Sequence, residues 1–276
     1  MSERPPVPEP LPRPVVDNHC HLDIGRDGDA LPVDEAIATA AEVGVTRIVQ
    51  IGCDLERAAW AVEAAATHDS LVAGVALHPN EAPRVPDLDE AMAIIERLAT
   101  AHDKVRAIGE TGLDSFRTGE EGRARQVESF RRHIDLSKRL DKTLVIHDRE
   151  THDEVLQVLD EEGPPDRWVM HCFSGDAAFA RACLDRGAHL SFAGTVTFKN
   201  AEPLRDALRI TPSDRVLVET DAPFLTPTPH RGRTNASYLV PLTMRVMAEV
   251  RGADLEALCE AVESATFDAF GGIWGR

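Results

Sequence analysis

Short runs of apolar and β-branched residues recur along the chain. They alternate with longer segments in which apolar residues return every three or four positions. The short runs are almost continuously apolar, which is typical of strands whose sheet is buried on both faces. They predict eight strands, at Val15–Leu22, Arg47–Gly52, Leu71–Leu77, Val105–Ile108, Thr143–Ile146, Trp168–Met170, His189–Phe192 and Arg215–Val218.

The longer segments predict helices at Pro32–Val43, Asp54–His68, Leu88–His102, Glu120–Leu140, Thr151–Glu161, Ala177–Arg186, Pro203–Arg209 and near residues 237–250 and 254–269. Because strands and helices alternate strictly, we expect parallel strands joined by right-handed crossovers. Eight such units predict an α/β fold, a (β/α)8 TIM barrel in one domain at residues 15–276. A doubly wound open sheet shows the same alternation. Its first strand, however, would be followed by G-x-G-x-x-G, and here His19-Cys20-His21 stands there.

Composition narrows the class of protein further. Residues 1–14 are rich in proline and lack an apolar signal core, so they predict an extended, flexible tail. No apolar run approaches the ~18–20 residues of a membrane span. The five cysteines are scattered without a C-x-x-C pair, which favours a reducing compartment and predicts a cytoplasmic location. Nothing resembles a coiled coil, and we expect a monomer without membrane contact.

Side chains that bind metals cluster where the predicted strands end. In a barrel these ends meet at one rim, where active sites are built. Because alternate residues of a strand project to one face, the H-x-H of the first strand aims two imidazoles at one point. Imidazole and carboxylate groups suit Mg²⁺, Mn²⁺ or Zn²⁺. The candidate metal ligands are His19, His21, Glu110, His147, His171 and Asp221.

These ligands divide into two sets that share one carboxylate. One ion could be held by His19, His21, Glu110 and Asp221, and a second by His147 and His171, with Glu110 bridging the two. A bridging carboxylate holds two cations ~3.5–4 Å apart, as in enzymes that hydrolyse phosphoesters. Each residue alone is compatible with a structural role, such as a core histidine or a helix cap. Their joint occurrence at the ends of five strands favours metal binding.

The other histidines and two cysteines receive different interpretations. His78 and His230 lie on the same rim and are assigned to the substrate, although His78 is equally compatible with a structural turn formed with Pro79. Cys20 and Cys172 flank candidate ligands, but strand alternation points them into the core. The remaining histidines are expected at the surface or, for the last, at the opposite end of the barrel: His68, His102, His133, His152 and His189.

Seven motifs carry a resemblance to a known family. They are D-N-H-C-H-L-D at 17–23, L-H-P at 77–79, G-E-T-G-L-D at 109–114, I-H-D-R at 146–149, H-C-F-S-G at 171–175, T-F-K-N at 197–200 and E-T-D-A-P-F-L-T-P-T-P-H-R-G at 219–232. In this order they resemble the TatD family of metal-dependent deoxyribonucleases, which belongs to the amidohydrolase-like TIM barrels. The resemblance implies a hydrolase with two divalent metal ions (Mg, Mn or Zn) that cleaves DNA phosphodiester bonds through metal-activated water. It also implies 3′–5′ exonuclease action on single-stranded or frayed ends.

The resemblance assigns roles to individual residues. It implies the same two ligand sets, with Asp221, Glu110 and His78 as the catalytic residues. His78, His230 and Arg231 would lie near the scissile phosphate, and Arg233 and Arg149 of the same rim are further candidate substrate contacts. Two places depart from the family pattern: Ser115 replaces the usual Tyr, and the usual K-R-N-E-P reads R-T-N-A-S at 233–237.

Other functions compatible with this barrel are hydrolysis of amides, esters or lactones, including deacylation of aminoacyl-tRNA, and a metal-binding scaffold without turnover. The basic segment His230-Arg231-Gly232-Arg233 favours a phosphate substrate. The net charge of −17 opposes a long electrostatic footprint on duplex DNA. We therefore expect an enzyme that contacts only a few nucleotides, preferably at a loose single-stranded end.

Overall fold

The structure is a computed structural model that describes residues 4–26 and 30–275. Eight parallel strands pair in chain order from β1 to β8. They are Val15–Cys20, Val45–Gly52, Leu71–Val75, Val105–Asp114, Thr143–Arg149, Trp168–Met170, His189–Phe192 and Val216–Val218. A bridge between Cys20 and Ala222 joins β1 to the segment after β8, so the sheet closes nearly into a barrel. The predicted TIM-barrel fold is confirmed.

Nine helices among the described residues surround the strands. They are α1 Val33–Glu42, α2 Leu55–Thr67, α3 Leu88–Thr100, α4 Glu120–Leu140, α5 His152–Glu162, α6 Ala177–Leu184, α7 Glu202–Ile210, α8 Val240–Arg251 and α9 Leu255–Ala269. Four of them begin at an aspartate whose carboxylate accepts hydrogen bonds from amides of the first turn: Asp54, Asp87, Asp176 and Asp254. None of the helices in the described ranges is long and apolar enough to cross a membrane.

Two strands extend further at their C-terminal ends than the sequence indicated. The prediction ended the fourth strand at Ile108, but β4 continues to Asp114, and β5 continues to Arg149. The two extensions pair with each other, from Thr111 opposite Ile146 to Asp114 opposite Arg149. The polar and glycine residues of this stretch hid the pairing, because a strand signal depends on apolar and β-branched residues. The extension carries Glu110 and His147 into the sheet itself.

An apolar cluster at the N-terminal end of the strands separates the two ends of the barrel. Adjacent residues Val15 and Val16 belong to different clusters, because successive strand residues face the helices and the interior in turn. The interior cluster contains one residue from most strands and is covered by Phe270 and Trp274, which follow α9. Burial of these rings closes that end, so the opposite rim is the one available to a site.

Residues 5–13 lie against the barrel. Leu11 is buried, and its amide donates to the carbonyl of Val43. The Tyr238 hydroxyl donates to the Pro5 carbonyl at 2.7 Å, and Arg245 donates to the carbonyls of Glu9 and Pro10 at 3.0 Å. The segment is therefore extended and in contact with α8. The limits of a flexible tail at 1–14 stay a prediction.

Candidate metal centre

The six candidate ligands reach one rim from five strands. His19 lies in β1 and His21 just after it, Glu110 lies in β4, and His147 lies in β5. His171 follows β6 and Asp221 follows β8. Parallel strands end at the same rim, which brings these distant residues together. Four of the six are almost fully buried: His19, His21, Glu110 and His171.

The first ligand set has the spacing of a metal cage. Nε2 of His21 lies 3.6 Å from Glu110 Oε1 and 3.4 Å from Asp221 Oδ1. Nε2 of His19 lies 3.6 Å from the same Glu110 oxygen and 3.9 Å from the same Asp221 oxygen. These separations are too long for hydrogen bonds. A tetrahedral ion with ligand bonds of 2.0–2.2 Å separates its ligand atoms by about 3.3–3.6 Å.

The hydrogen bonds around these histidines also fit a metal. Neither ring nitrogen of His19 has a hydrogen-bond partner among the described residues, although both are buried. A buried polar atom without a partner costs about 1–3 kcal/mol, and coordination to an ion would remove that cost. His21 Nδ1 lies 3.0 Å from the carbonyl of Ile51, to which it donates. In the neutral ring this bond leaves the lone pair of His21 on Nε2, which faces the cage.

The second ligand set surrounds the other oxygen of Glu110. Glu110 Oε2 lies 2.8 Å from His171 Nε2, 3.1 Å from His147 Nδ1 and 3.8 Å from His78 Nε2. The two oxygens of one carboxylate therefore face two separate groups of imidazoles. Glu110 therefore lies between the two ligand sets, and its role as a bridging metal ligand stays a prediction.

A buried carboxylate contacts the second ligand set on the side of His171 that faces away from Glu110. Glu219 Oε1 lies 3.2 Å from His171 Nδ1, and Ser191 Oγ donates to its other oxygen. The rings of His171 and His19 stack at 3.8 Å between centroids. This contact fixes the His171 ring with Nε2 turned toward Glu110.

The electrostatics of the centre keep its carboxylates ionised. Burial opposes ionisation of Glu110, but the charge of His171 and hydrogen bonds from His147 and His171 outweigh it and hold the pKa of Glu110 well below its usual range. Burial likewise opposes ionisation of Asp221, but the close contact with His21 and the charge of His171 outweigh it and lower the pKa of Asp221 overall. Burial and the charge of His171 lower the pKa of His19, which keeps that ring neutral. Ionised carboxylates and a neutral imidazole are the forms that bind cations. Burial opposes protonation of His21 and His171, but neighbouring acidic groups outweigh it and raise both pKa values, so a cation would displace protons from these rings.

Comparison with known proteins identifies the family. The sequence model of the family described as TatD related DNase matches residues 16–271. The chain belongs to the TatD family. The metal-dependent hydrolase TatD of Mycobacterium tuberculosis is 45% identical over 266 residues, which are 95% of this chain and 100% of that protein. YcfH of Escherichia coli K12, also named as a metal-dependent hydrolase, is 39% identical over 249 residues, 89% of this chain and 91% of that one.

The barrel also agrees with a solved structure of the family. The TatD homologue YJJV from Escherichia coli K12 superimposes with a TM-score of 0.87 at 26% identity, covering 94% of this chain and 98% of that one. The TatD resemblance of the motifs is thereby confirmed, and this TatD protein is a metal-dependent hydrolase.

Two residues of the centre escaped the sequence interpretation. Cys53 Sγ lies 3.3 Å from Glu110 Oε1, to which the thiol donates. Burial raises the pKa of Cys53 to about 12, so the sulfur keeps its proton. Asp114 Oδ2 lies 3.4 Å from His147 Nε2 and accepts from Asn80 Nδ2 at 3.0 Å. Both residues stand at strand ends, and the rule that such ends converge could have found them.

His78 forms the structural turn that the sequence left open and also places its ring at the centre, while its contact with substrate stays a prediction. Its carbonyl accepts the amides of Glu81 and Ala82, which forms the expected turn. Its ring Nδ1 accepts the amide of Asn80 at 3.0 Å. Its Nε2 points into the centre near Glu110. The structural turn therefore positions the ring at the site.

The predicted basic contacts lie around the rim. Arg149 ends β5 two residues after His147, and its guanidinium lies 3.8 Å from the ring centre of Phe116. Arg231 lies 4.0 Å from the ring centre of Phe198. His230, Arg231 and Arg233 occupy the loop that follows Asp221. Their role as substrate contacts stays a prediction.

The departures from the TatD pattern have structural uses in this chain. Ser115 Oγ donates to the carbonyl of Glu150 and ties the β4 extension to the loop after β5. Asn235, which matches the family pattern, donates through Nδ2 to the carbonyls of Thr220 and Phe224. Ser237 Oγ donates to the buried carboxylate of Asp17. These bonds fix the loop that carries Asp221.

One histidine was placed wrongly from the sequence. His133 was expected at the surface because it lies in a helix, but it is fully buried on the inner face of α4. Its Nδ1 donates to the carbonyl of Ser129, and its Nε2 accepts the amide of Leu77, the residue before His78. His133 therefore supports the segment that positions His78.

Proposed function

We propose that this TatD protein hydrolyses phosphodiester bonds of DNA with two divalent metal ions (Mg, Mn or Zn). It acts as a 3′–5′ exonuclease on single-stranded or frayed ends. The observation that carries the proposal is the position of Glu110, whose two carboxylate oxygens face separate groups of ligand atoms. Its DNA substrate is supported by the family name, TatD related DNase, and by the basic residues around the rim.

The chain supplies the ligands of both ions. His19, His21, Glu110 and Asp221 would hold one, and Glu110, His147 and His171 would hold the other. Bound ions of this kind supply activation of a water molecule and neutralisation of charge on a phosphate. Glu219 holds His171 in the required orientation through Nδ1.

Asp221 is the residue suited to accept the proton of the attacking water. Its side chain is 16% exposed, against 5% for Glu110, so it is the more accessible carboxylate of the first set. Its lowered pKa keeps the carboxylate free of a proton at neutral pH. Its backbone adopts φ 54°, a left-handed conformation that is uncommon for residues other than glycine.

His78 is suited to donate a hydrogen bond to a phosphate oxygen. Burial lowers its pKa to about 3, so the ring is neutral at pH 7. Because Nδ1 accepts the amide of Asn80, the single ring proton lies on Nε2, which faces the centre. A positioned donor of this kind stabilises the charge that develops on the phosphate. Arg231, His230, Arg233 and Arg149 would bind the backbone next to it.

The test is digestion of single-stranded DNA labelled at its 3′ end, with EDTA and then with each metal added back. We expect stepwise loss of 3′ nucleotides that EDTA abolishes and metal restores. Small amide, ester and lactone substrates and an aminoacyl-tRNA are assayed in parallel. Turnover of one of these without cleavage of DNA would move this protein to the other class. Absence of turnover on every substrate with both ions bound would leave only a scaffold role.

A further inference from the structure

Two phenylalanine rings stand in solvent beside the candidate metal centre. Aromatic residues make up only 5% of the chain. Four large apolar side chains are exposed in the part of the chain that the structure describes, and two of them are Phe116, 57% exposed, and Phe224, 42% exposed. Single exposed apolar residues are common. Two rings placed on opposite sides of one catalytic rim are a different case, because each is held there by the residues that build the site.

Phe224 is fixed on the side of the first ligand set. Its amide donates to the carbonyl of Asp221 at 2.9 Å, and its own carbonyl accepts Asn235 Nδ2. Its ring centre lies 6.3 Å from the ring centre of His21. The backbone around Phe224 is thus tied at both ends, and the ring projects next to a candidate metal ligand.

Phe116 is fixed on the side of the second ligand set. Its amide donates to Asp114 Oδ1 at 2.9 Å, and the other oxygen of Asp114 lies 3.4 Å from His147. The guanidinium of Arg149 lies over the Phe116 ring at 3.8 Å. A planar cation stacked on a ring extends the flat surface and adds positive charge beside it.

We propose that Phe116 and Phe224 are stacking platforms for unpaired nucleobases, one on each side of the scissile phosphate. The proposal rests on the proposed function, since it names how the same site grips its substrate. Every base offers a π-face, so aromatic platforms bind single strands with little sequence preference. In a duplex these faces are covered by neighbouring bases, and the platforms therefore select single-stranded or frayed ends.

The charge of the molecule supports a single DNA strand as the ligand of these rings. A net charge of −17 leaves little long-range attraction for DNA, so binding cannot depend on counterion release alone. Positive groups are concentrated where the backbone of a strand would pass, with Arg149 on Phe116 and Arg231 on Phe198. Stacking adds affinity that salt does not screen, and the arginines position the phosphates between the bases.

The variants Phe116→Leu and Phe224→Leu test the platforms, because leucine stays apolar but has no π-face. Ile273→Ala is the matched control, since Ile273 is 71% exposed at the closed end of the barrel. Affinity is measured by fluorescence anisotropy for a short single-stranded oligonucleotide, with and without metal. A second oligonucleotide has abasic residues at the two 3′-terminal positions. Binding is followed separately from cleavage.

We expect each phenylalanine variant to bind the intact strand about 5- to 150-fold more weakly. The abasic strand should bind wild type and variants equally, and the control should match wild type. Equal weakening for both strands, or none, would overturn the platforms. A change in the oligomeric state of the phenylalanine variants with unchanged DNA binding would also overturn the proposal. That result would show that the rings form a contact between copies of the chain. If DNA is cleaved but the phenylalanine variants bind it as tightly as wild type, the stacking proposal is wrong and the nuclease proposal stands. If the variants bind as expected but no DNA is cleaved, the nuclease proposal is wrong and the stacking proposal stands.

Discussion

Replacing Glu219 with glutamine should selectively weaken the binding of one of the two metal ions. Glu219 is fully buried, and its carboxylate accepts from His171 Nδ1 and Ser191 Oγ. Glutamine keeps the shape and can still accept from His171, so the variant removes the charge and leaves the packing. A hydrogen bond to a charged group contributes about 1.5–3 kcal/mol and a neutral one about 0.5–1.5 kcal/mol. The difference of roughly 1.5 kcal/mol corresponds to about a tenfold lower affinity of the second ligand set for its ion.

The assay is calorimetric titration of the metal-free protein with Zn²⁺ or Mn²⁺, fitted to two sites. We expect one affinity to fall by about 10–100-fold, the usual range for residues behind a metal ligand, while the other stays near wild type. Glu263→Gln serves as the control, because Glu263 pairs with Arg47 away from the rim. Two unchanged affinities would refute the role of Glu219, and two equally reduced affinities would refute its selectivity.

Three further predictions concern stability and the site. Phe270→Ala should lower the free energy of unfolding by about 3–5 kcal/mol in urea, because it opens the closed end of the barrel. Burial lowers the pKa of His133 to about 4, below the usual 6.5. The unfolded chain therefore takes up that proton first. The contribution of neutral His133 to the free energy of unfolding is complete above about pH 6.5 and should be lost as the pH drops to about 4. His133→Gln should therefore flatten this part of the plot of stability against pH. Cys53→Val removes the donor to Glu110 and should weaken metal binding about 2- to 10-fold, whereas Cys53→Ser should bind as wild type.

The architecture and the six candidate ligands were predictable because each depends on a local signal. Apolar runs indicate the strands. The rule that parallel strands end at one rim predicts from the sequence that His19, Glu110 and Asp221 lie close together. All six lie at the predicted rim. The helix limits agree within three residues at either end.

The residues that sequence reasoning missed act through geometry that no pattern shows. Cys53 resembles any buried cysteine until β2 places it 3.3 Å from Glu110. His133 was assigned to the surface because it lies in a helix, and only the packing of α4 against the barrel shows that it is a buried acceptor of the Leu77 amide. The extension of β4 to Asp114 depends on pairing with β5, which polar residues conceal. Each miss is a case in which tertiary contacts override a local signal.

The bridging position of Glu110 is tested most directly by the metal content of Glu110→Gln beside wild type. Both proteins, and the exposed control Glu63→Gln, are equilibrated with Zn²⁺ or Mn²⁺, freed of excess ion, checked for folding by circular dichroism and analysed by elemental mass spectrometry. We expect two ions per chain in wild type and in the control, and fewer than one in Glu110→Gln, with loss of hydrolysis. A folded Glu110→Gln protein that retains two ions and full hydrolytic activity would contradict the shared carboxylate at the centre of this site.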